Sequence, residues 1–415
     1  MNKKVIIIGT VVVVVLVIAI AVPIAVLTGK KSTRDESSLT QRAAQVLEET
    51  PLVDGHNDIP WQLRKYFMNQ MENVTLDKNN PEWHTDIPRL RKGKVGAQFW
   101  SAYVSCANQY KNSVRLFLEQ IDVIHRMVDK YPGTFTLATT AQDIKDAHKA
   151  GKIASLIGVE GGHAMDSSLD ALRMLYELGG RYMTLTHSCH TPWADSCTPE
   201  KPEHNGLTQF GKDVIREMNR LGMFVDISHV SAKVMHDVLN ITEAPGIKEN
   251  SHVIFSHSSA YALCKNPRNV PDDVLEKLPR NGGVVMVNFY NDYVTCRKDA
   301  TLSDVADHID HIKEVAGIDH VGLGGDYDGV PRVPTGLEDV STYPKLVEEL
   351  LRRGYSNAEA SKIVGGNLIT AMEKMEKVSK SKFTKEFVAE GKKEVPPYDN
   401  YISVDESCRP ALDGL

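Results

Sequence analysis

The stretch Ile153-Ala154-Ser155-Leu156-Ile157-Gly158-Val159-Glu160 decides how this chain is read. An uncharged, mostly apolar run ends abruptly in a carboxylate. That is the pattern of a strand buried on both faces whose last residue emerges at a polar rim. Seven other runs end in the same way. Pro51 to Val53 leads into Asp54, His56 and Asp58, Ala97 to Val104 into Ser105, and Arg181 to Thr186 into His187. Met223 to Ile227 leads into His229, and Val253 to Ser256 into His257. Val284 to Phe289 leads into Tyr290, and Val321 to Gly325 into Asp326. Between them lie stretches with apolar spacing of three and four, clearest in Val114-Leu116-Phe117-Ile121-Ile124-Met127-Val128 and again in Leu346-Leu350-Leu351. Strands alternating with helices predict parallel βαβ units, and eight of them predict an α/β chain folded as a TIM-like (β/α)8 barrel. In that fold, reactive side chains stand at the carboxyl ends of the strands.

The 415 residues suffice for one such barrel with insertions, and a formal net charge of -6 gives no electrostatic footprint for nucleic acid. From Val5 to Thr28 the chain carries no charge, with Lys3 and Lys4 before and Lys30 and Lys31 after. At about 1.5 Å rise per residue this segment spans a bilayer core of roughly 30 Å. It is longer than a usual signal-peptide core, so a retained signal-anchor is expected, with cleavage near Ala19-Ile20-Ala21 as the alternative. The expected organisation is a cytoplasmic end (1–4), the anchor or signal peptide (5–28), a stalk (29–41), the barrel (42–395) and an irregular tail (396–415). No hydrophobic tail closes the sequence, so the signal for a C-terminal lipid anchor is absent.

Asn73-Val74-Thr75 and Asn240-Ile241-Thr242 are glycosylation acceptors, meaningful only in a secretory compartment. The six cysteines, Cys106, Cys189, Cys197, Cys264, Cys296 and Cys408, contain no Cys-x-x-Cys pair. They read as disulfide formers rather than as a thiolate zinc site. The barrel is expected outside the cell, at the cell membrane, or secreted if the leader is cleaved.

The strand ends supply the chemistry. His56 and Asp58 stand two apart, which on a strand aims both at one face, here the barrel mouth. Glu160 ends a buried run, where a carboxylate must be paired or metal-bound. His229 and His257 close two successive runs. Each residue alone has an ordinary reading: a salt-bridged Glu, or a histidine bonded to backbone. Together they are five nitrogen and oxygen ligands of the kind zinc takes. One catalytic zinc uses three protein ligands, so five fit two metals with a bridging carboxylate. His187 is placed to donate to a developing oxyanion, Asp326 to shuttle a proton, and Arg268 to hold a carboxylate in its planar fork. Their ordinary readings are a backbone-bonded histidine, an Asp in a turn and a surface Arg. No Gly-x-Ser-x-Gly and no P-loop competes.

These motifs resemble those of the membrane dipeptidase (renal dipeptidase) family. The resemblance rests on Asp54-Gly55-His56-Asn57-Asp58, Gly158-Val159-Glu160-Gly161-Gly162-His163 and Leu185-Thr186-His187-Ser188-Cys189. Asp226-Ile227-Ser228-His229-Val230-Ser231, Phe255-Ser256-His257-Ser258-Ser259-Ala260, Arg268-Asn269-Val270-Pro271-Asp272-Asp273 and the stretch from Gly324 to Arg332 continue it. It runs from about Thr40 to past Ala371. It implies a barrel of the metal-dependent hydrolase type with two Zn2+ per chain, hydrolysing dipeptides that include cysteinyl-glycine conjugates and leukotriene D4. His56, Asp58 and Glu160 would hold one zinc, and Glu160, His229 and His257 the other. His187, Arg268, Asp326 and Tyr293 would meet the substrate, with Asp326 and His187 catalytic. The family's disulfides would pair Cys106 with Cys189 and Cys264 with Cys296, and Cys408 would link a homodimer.

The chain departs from the family in three places. Mammalian members carry a cleaved signal peptide and a C-terminal lipid anchor, which the leader and tail here do not match. Cys197 and His190 have no counterpart in the pattern, and Cys197 is left over if Cys408 pairs between subunits. Gly246 to His252 reads as an insertion before a strand, hence at the amino face of the barrel and away from the chemistry. Two rival readings remain. A dinuclear barrel hydrolase of cyclic amides or esters would share the metal ligands but have no use for Arg268. A non-enzymatic receptor on a retired barrel would have lost a ligand, and every ligand position is filled.

Overall fold

The computed structural model describes residues 38–242 and 252–379. One parallel sheet organises them, made of β1 (Leu52–Asn57), β2 (Val95–Tyr103), β3 (Phe135–Leu137), β4 (Ile153–Glu160), β5 (Gly180–Thr184), β6 (Phe224–Asp226), β7 (Val253–Phe255), β8 (Val284–Val287) and β9 (Val321–Leu323). The order is β2-β1-β9-β8-β7-β6-β5-β4-β3, and β2 also pairs with β4. Eight strands therefore close into a barrel, and they are the eight apolar runs of the sequence. The closing seam is long and in register, from Ala97 opposite Ala154 to Tyr103 opposite Glu160.

The strand β3 is an addition that the sequence does not announce, because three residues are too few to show a period. It pairs Phe135 with Ile153 and Leu137 with Ser155. Further along β4 the same edge passes to β5, from Ile157 opposite Gly180 to Glu160 opposite Thr184. With eight residues, all buried, β4 is long enough to serve three neighbours.

Helices fill the crossovers. Ser113–Lys130 and Leu302–Ala316 turn their apolar stripes inward. Capping boxes start Ala141–Lys149 at Thr140 and Asp143, and Leu302–Ala316 at Thr301 and Asp304. Residues 38–49, which straddle the expected edge of the stalk, are helical and bury Ala43, Val46 and Leu47 in the layer between strands and helices.

Inside the barrel, Val53, Phe99, Leu156, Tyr182, Phe224, Ile254, Val284 and Met286 form a separate cluster. Leu368, Ile369, Met372 and Met375 of the last described helix, Asn367–Ser379, join it. That helix follows directly on Gly365, where a Cβ would meet the Pro51 carbonyl at 2.2 Å, so it plugs the amino-terminal end of the barrel. The carboxyl-terminal end is left for the polar strand ends.

The leader, the stalk up to residue 37, most of the Gly246–His252 insertion and the tail with Cys408 lie outside the described residues. Among the described residues no helix is long and apolar enough to cross a membrane.

Candidate metal centre

His56 is the fifth residue of β1 and is fully buried. Asp58 is not on that strand, as a two-residue alternation would have it. β1 ends at Asn57, and Asp58 is the residue before the helix Ile59–Phe67, which carries a proline in its first turn. Its carboxylate caps no backbone N–H, so it is free to turn back toward His56, and its Oδ2 lies 3.2 Å from His56 Nε2.

Glu160, the last residue of β4, divides its two oxygens. Oε2 lies 3.4 Å from His56 Nε2 and accepts from Ser101 Oγ at 3.1 Å. Oε1 lies 3.1 Å from His229 Nε2 and 3.5 Å from His257 Nε2. The latter two nitrogens face each other at 3.0 Å.

Among the described residues, three overlapping sets of donor atoms each lie within 4.8 Å of one another: those of His56, Asp58 and Glu160, of Glu160, His187 and His229, and of His56, His257 and Asp326. His229 and Asp326 reach the centre from left-handed backbone, at φ 64° and 59°. Non-glycine residues adopt that region at a cost, and such strain gathers at functional sites. Asp326 is brought beside β1 by continued pairing beyond the strand ends, its N–H donating to the His56 carbonyl at 3.2 Å.

Electrostatics favour a cation here. Burial holds the His229 and His257 imidazoles well below the usual histidine range, leaving them neutral as ligands must be. Burial also acts on His56, but Tyr182, Glu160 and Asp58 outweigh it and lift the imidazole well above its usual range. The carboxylates thus draw positive charge to His56 Nε2, a buried atom with no hydrogen-bond partner among the described residues. A metal ion supplies both the charge and the partner, so the residues present fit one.

Around the centre, His187 Nε2 lies 3.7 Å from Glu160 Oε1, and its ring stands between those of Tyr103 and His229, with centroids at 4.7 and 4.3 Å. Arg268 is only 4 % exposed, donates to Ser258 Oγ and to the His257 carbonyl, and stacks on Tyr293 at 5.3 Å. Its Nε has no partner, and no carboxylate of the described residues pairs with it. A buried guanidinium left so is poised for an incoming anion.

Disulfides join Cys106 to Cys189 and Cys264 to Cys296. The first ties down the loop that follows His187, and the second brackets Arg268 and Tyr293. Cys197 is a free thiol, half-buried, and burial raises it.

Residues 40–386 match the family described as membrane dipeptidase, peptidase family M19. The chain belongs to that family. It is 48% identical over 344 residues to Dipeptidase 3 of Mus musculus, covering 82% of this chain and 67% of that protein. Against Dipeptidase 3 of Homo sapiens the identity is 49% over 346 residues, 82% of this chain and 68% of the other. Among solved structures, the dipeptidase AC, a metallopeptidase of family M19, superposes with a TM-score of 0.71 at 27% identity over 79% of this chain and 98% of its own. The metallopeptidase from Rhodobacter sphaeroides, liganded with a phosphinate mimic of the dipeptide L-Ala-D-Ala, gives 0.70 at 25% identity over 79% and 99%. Membership makes this chain a metallo-dipeptidase, a hydrolase on a TIM-like barrel.

Three residues at this centre were not singled out in the sequence, Tyr182, Asp226 and Ser256, and Asp54 was named there only as the end of a run. Asp54 accepts from the backbone of His56 at 2.7 Å and from the Tyr343 hydroxyl. A carboxylate inside an apolar run, as in Phe224-Val225-Asp226, is the signal that could have found Asp226.

Proposed function

We propose that this chain is a dinuclear zinc dipeptidase. The division of the Glu160 carboxylate between His56 on one side and His229 with His257 on the other carries the reading. One zinc would be held by His56, Asp58 and Glu160, the second by Glu160, His229 and His257. Zinc bound there supplies Lewis-acid polarisation of the scissile carbonyl and a water of lowered pKa.

The chain's own residues do the rest. The Arg268 fork holds the carboxylate at the end of a dipeptide, and the Tyr293 ring lines the same pocket. A single carboxylate anchor deep in the barrel mouth selects dipeptides over longer peptides. His187 lies beside the metal ligands, where it donates to the oxygen that gains charge in the transition state. Burial raises the Asp326 carboxyl well above the carboxylate range, which makes it a stronger proton acceptor than an ordinary carboxylate and suits it to pass a proton to the leaving amine.

Cysteinyl-glycine conjugates and leukotriene D4 belong to the substrates proposed, at the outer surface of a membrane reached through Val5 to Thr28. Asn73 and Asn240 are exposed and would carry the glycans, and Cys408 would join two copies. Elemental analysis with a dipeptide panel, each member paired with its C-terminal amide, tests the central claim. Two zinc equivalents and a strong preference for free carboxylates are expected. One equivalent at full activity, or indifference to amidation, refutes it. The N-terminal mass of membrane-extracted protein tests the anchor.

A further inference from the structure

We propose that two hydroxyl relays present the histidines of this centre, and that they make its two halves unequal. The inference rests on the dinuclear reading above. The first relay starts at His56 Nδ1, which lies 2.9 Å from the Tyr182 hydroxyl. That hydroxyl has a single proton, and it donates to the Gly55 carbonyl at 3.1 Å, a group that can only accept. His56 Nδ1 must then carry a proton and donate to the Tyr182 oxygen, which reserves Nε2, turned toward Asp58 and Glu160, as the nitrogen a metal ion would take. Packing locks the arrangement. Tyr182 is fully buried, its ring stands 5.0 Å from that of Phe99, and it lies so close over Gly158 that a Cβ there would sit 2.0 Å from its Cζ.

The second relay runs through β6 and β7. His257 Nδ1 lies 2.7 Å from Ser256 Oγ, and Ser256 Oγ donates to Asp226 Oδ2 at 2.6 Å. Asp226 can only accept, so the serine proton is committed to it and His257 Nδ1 must donate to the serine. Nε2 of His257 is bare and faces the centre. Asp226 is itself anchored, accepting from the Ser256 and Ser228 backbone N–H groups at 2.9 and 3.0 Å and from the Thr184 hydroxyl at 2.5 Å. A carboxylate, a hydroxyl and an imidazole in line fix both the tautomer and the ring plane of a metal-binding histidine.

His229 has no such support. Among the described residues its Nδ1 is buried without a hydrogen-bond partner, and the ring is held by its left-handed backbone and by packing on His187. The half made by His56 and Asp58 thus has a relayed histidine and a carboxylate of its own. The half made by His229 and His257 has one relayed histidine, one unsupported, and only its share of Glu160. The first half therefore holds zinc more tightly, with Tyr182 as its positioning residue and Ser256 and Asp226 as those of the second.

The test is a zinc titration of the metal-depleted full-length protein against a chromogenic chelator, with apoprotein unfolding measured alongside. The wild type should show two unequal constants. Tyr182→Phe keeps the ring packed and should weaken the tighter constant by about 10–100-fold, narrowing the gap, and Ser256→Ala should weaken the looser one by about as much, widening it. Apoprotein unfolding midpoints should match the wild type in both. Unchanged zinc constants in both variants, or losses that track a fall in the apoprotein midpoint, overturn the relays. A wild type that takes up one zinc overturns the dinuclear reading instead, and the relay to that ion is then read on its single constant.

Discussion

Glu160 Oε1 stands 3.1 Å from His229 Nε2 while the other oxygen of the same carboxylate faces His56. One side chain thereby links β4 to ligands placed by β1, β6 and β7. Glu160→Gln keeps the shape and removes the charge. It should release at least one zinc and lower kcat/KM by more than about 100-fold, since even residues that only orient metal ligands cost 10–100-fold. Far-ultraviolet circular dichroism should be unchanged, because the barrel core does not include this carboxylate. Full metal content in the variant would contradict the bridge.

Arg268 is expected to act through its fork and not through its charge alone. Arg268→Lys keeps the charge and loses bidentate geometry, so kcat/KM for a free dipeptide should fall by about 10–100-fold, the worth of one charged hydrogen bond at about 1.5–3 kcal/mol. Activity on the matching amide should change little. Measuring both substrates on both enzymes decides it: an equal loss on dipeptide and amide would remove Arg268 from carboxylate recognition.

The Cys264–Cys296 bridge closes 32 residues of chain and brackets the loops that carry Arg268 and Tyr293. By the chain-entropy estimate its loss costs about 3–4 kcal/mol. The double variant Cys264→Ala, Cys296→Ala should show that fall in denaturant unfolding and a raised KM with kcat less affected. An unchanged KM would mean that the bridge stabilises the fold without holding the pocket.

Buried neutral histidines should make the apoprotein more sensitive to acid than it would be without them. Burial lowers His252 to about 4 and also lowers His163, His308 and His320. In the unfolded chain these groups take up protons below about 6.5, while in the folded chain they stay neutral. The unfolded state then binds more protons, so their contribution is complete above pH 6.5 and is lost as pH falls toward 4. Asp54 and Asp328, raised by burial to about 7, act in the opposite sense, so the test is a difference: between pH 7 and pH 5, without metal, His252→Asn should escape about 1–2 kcal/mol of acid destabilisation that the wild type suffers. An equal pH dependence in the two proteins would show that the His252 ring is solvated in the native state.

What the sequence by itself determined was the set of parts. The eight apolar runs are the eight barrel strands, because a strand buried on both faces is mostly apolar and the reactive residue that follows each run stands at the carboxyl end. The family is equally legible, since its motifs are contiguous segments such as Asp54 to Asp58 and Phe255 to Ala260. What only the tertiary structure decided was which atoms meet. Tyr182 and His56 are 126 residues apart, and nothing local to either predicts that their side chains touch. Asp226 reads as one more residue of an apolar run until barrel closure sets Ser256 beside it. β3 shows no period in three residues, and Asp58 left its strand because Pro60 favours a helix start there. Local sequence specifies period, caps and apolar faces. The direction of a hydrogen bond between strands depends on register and closure, and those are properties of the whole barrel.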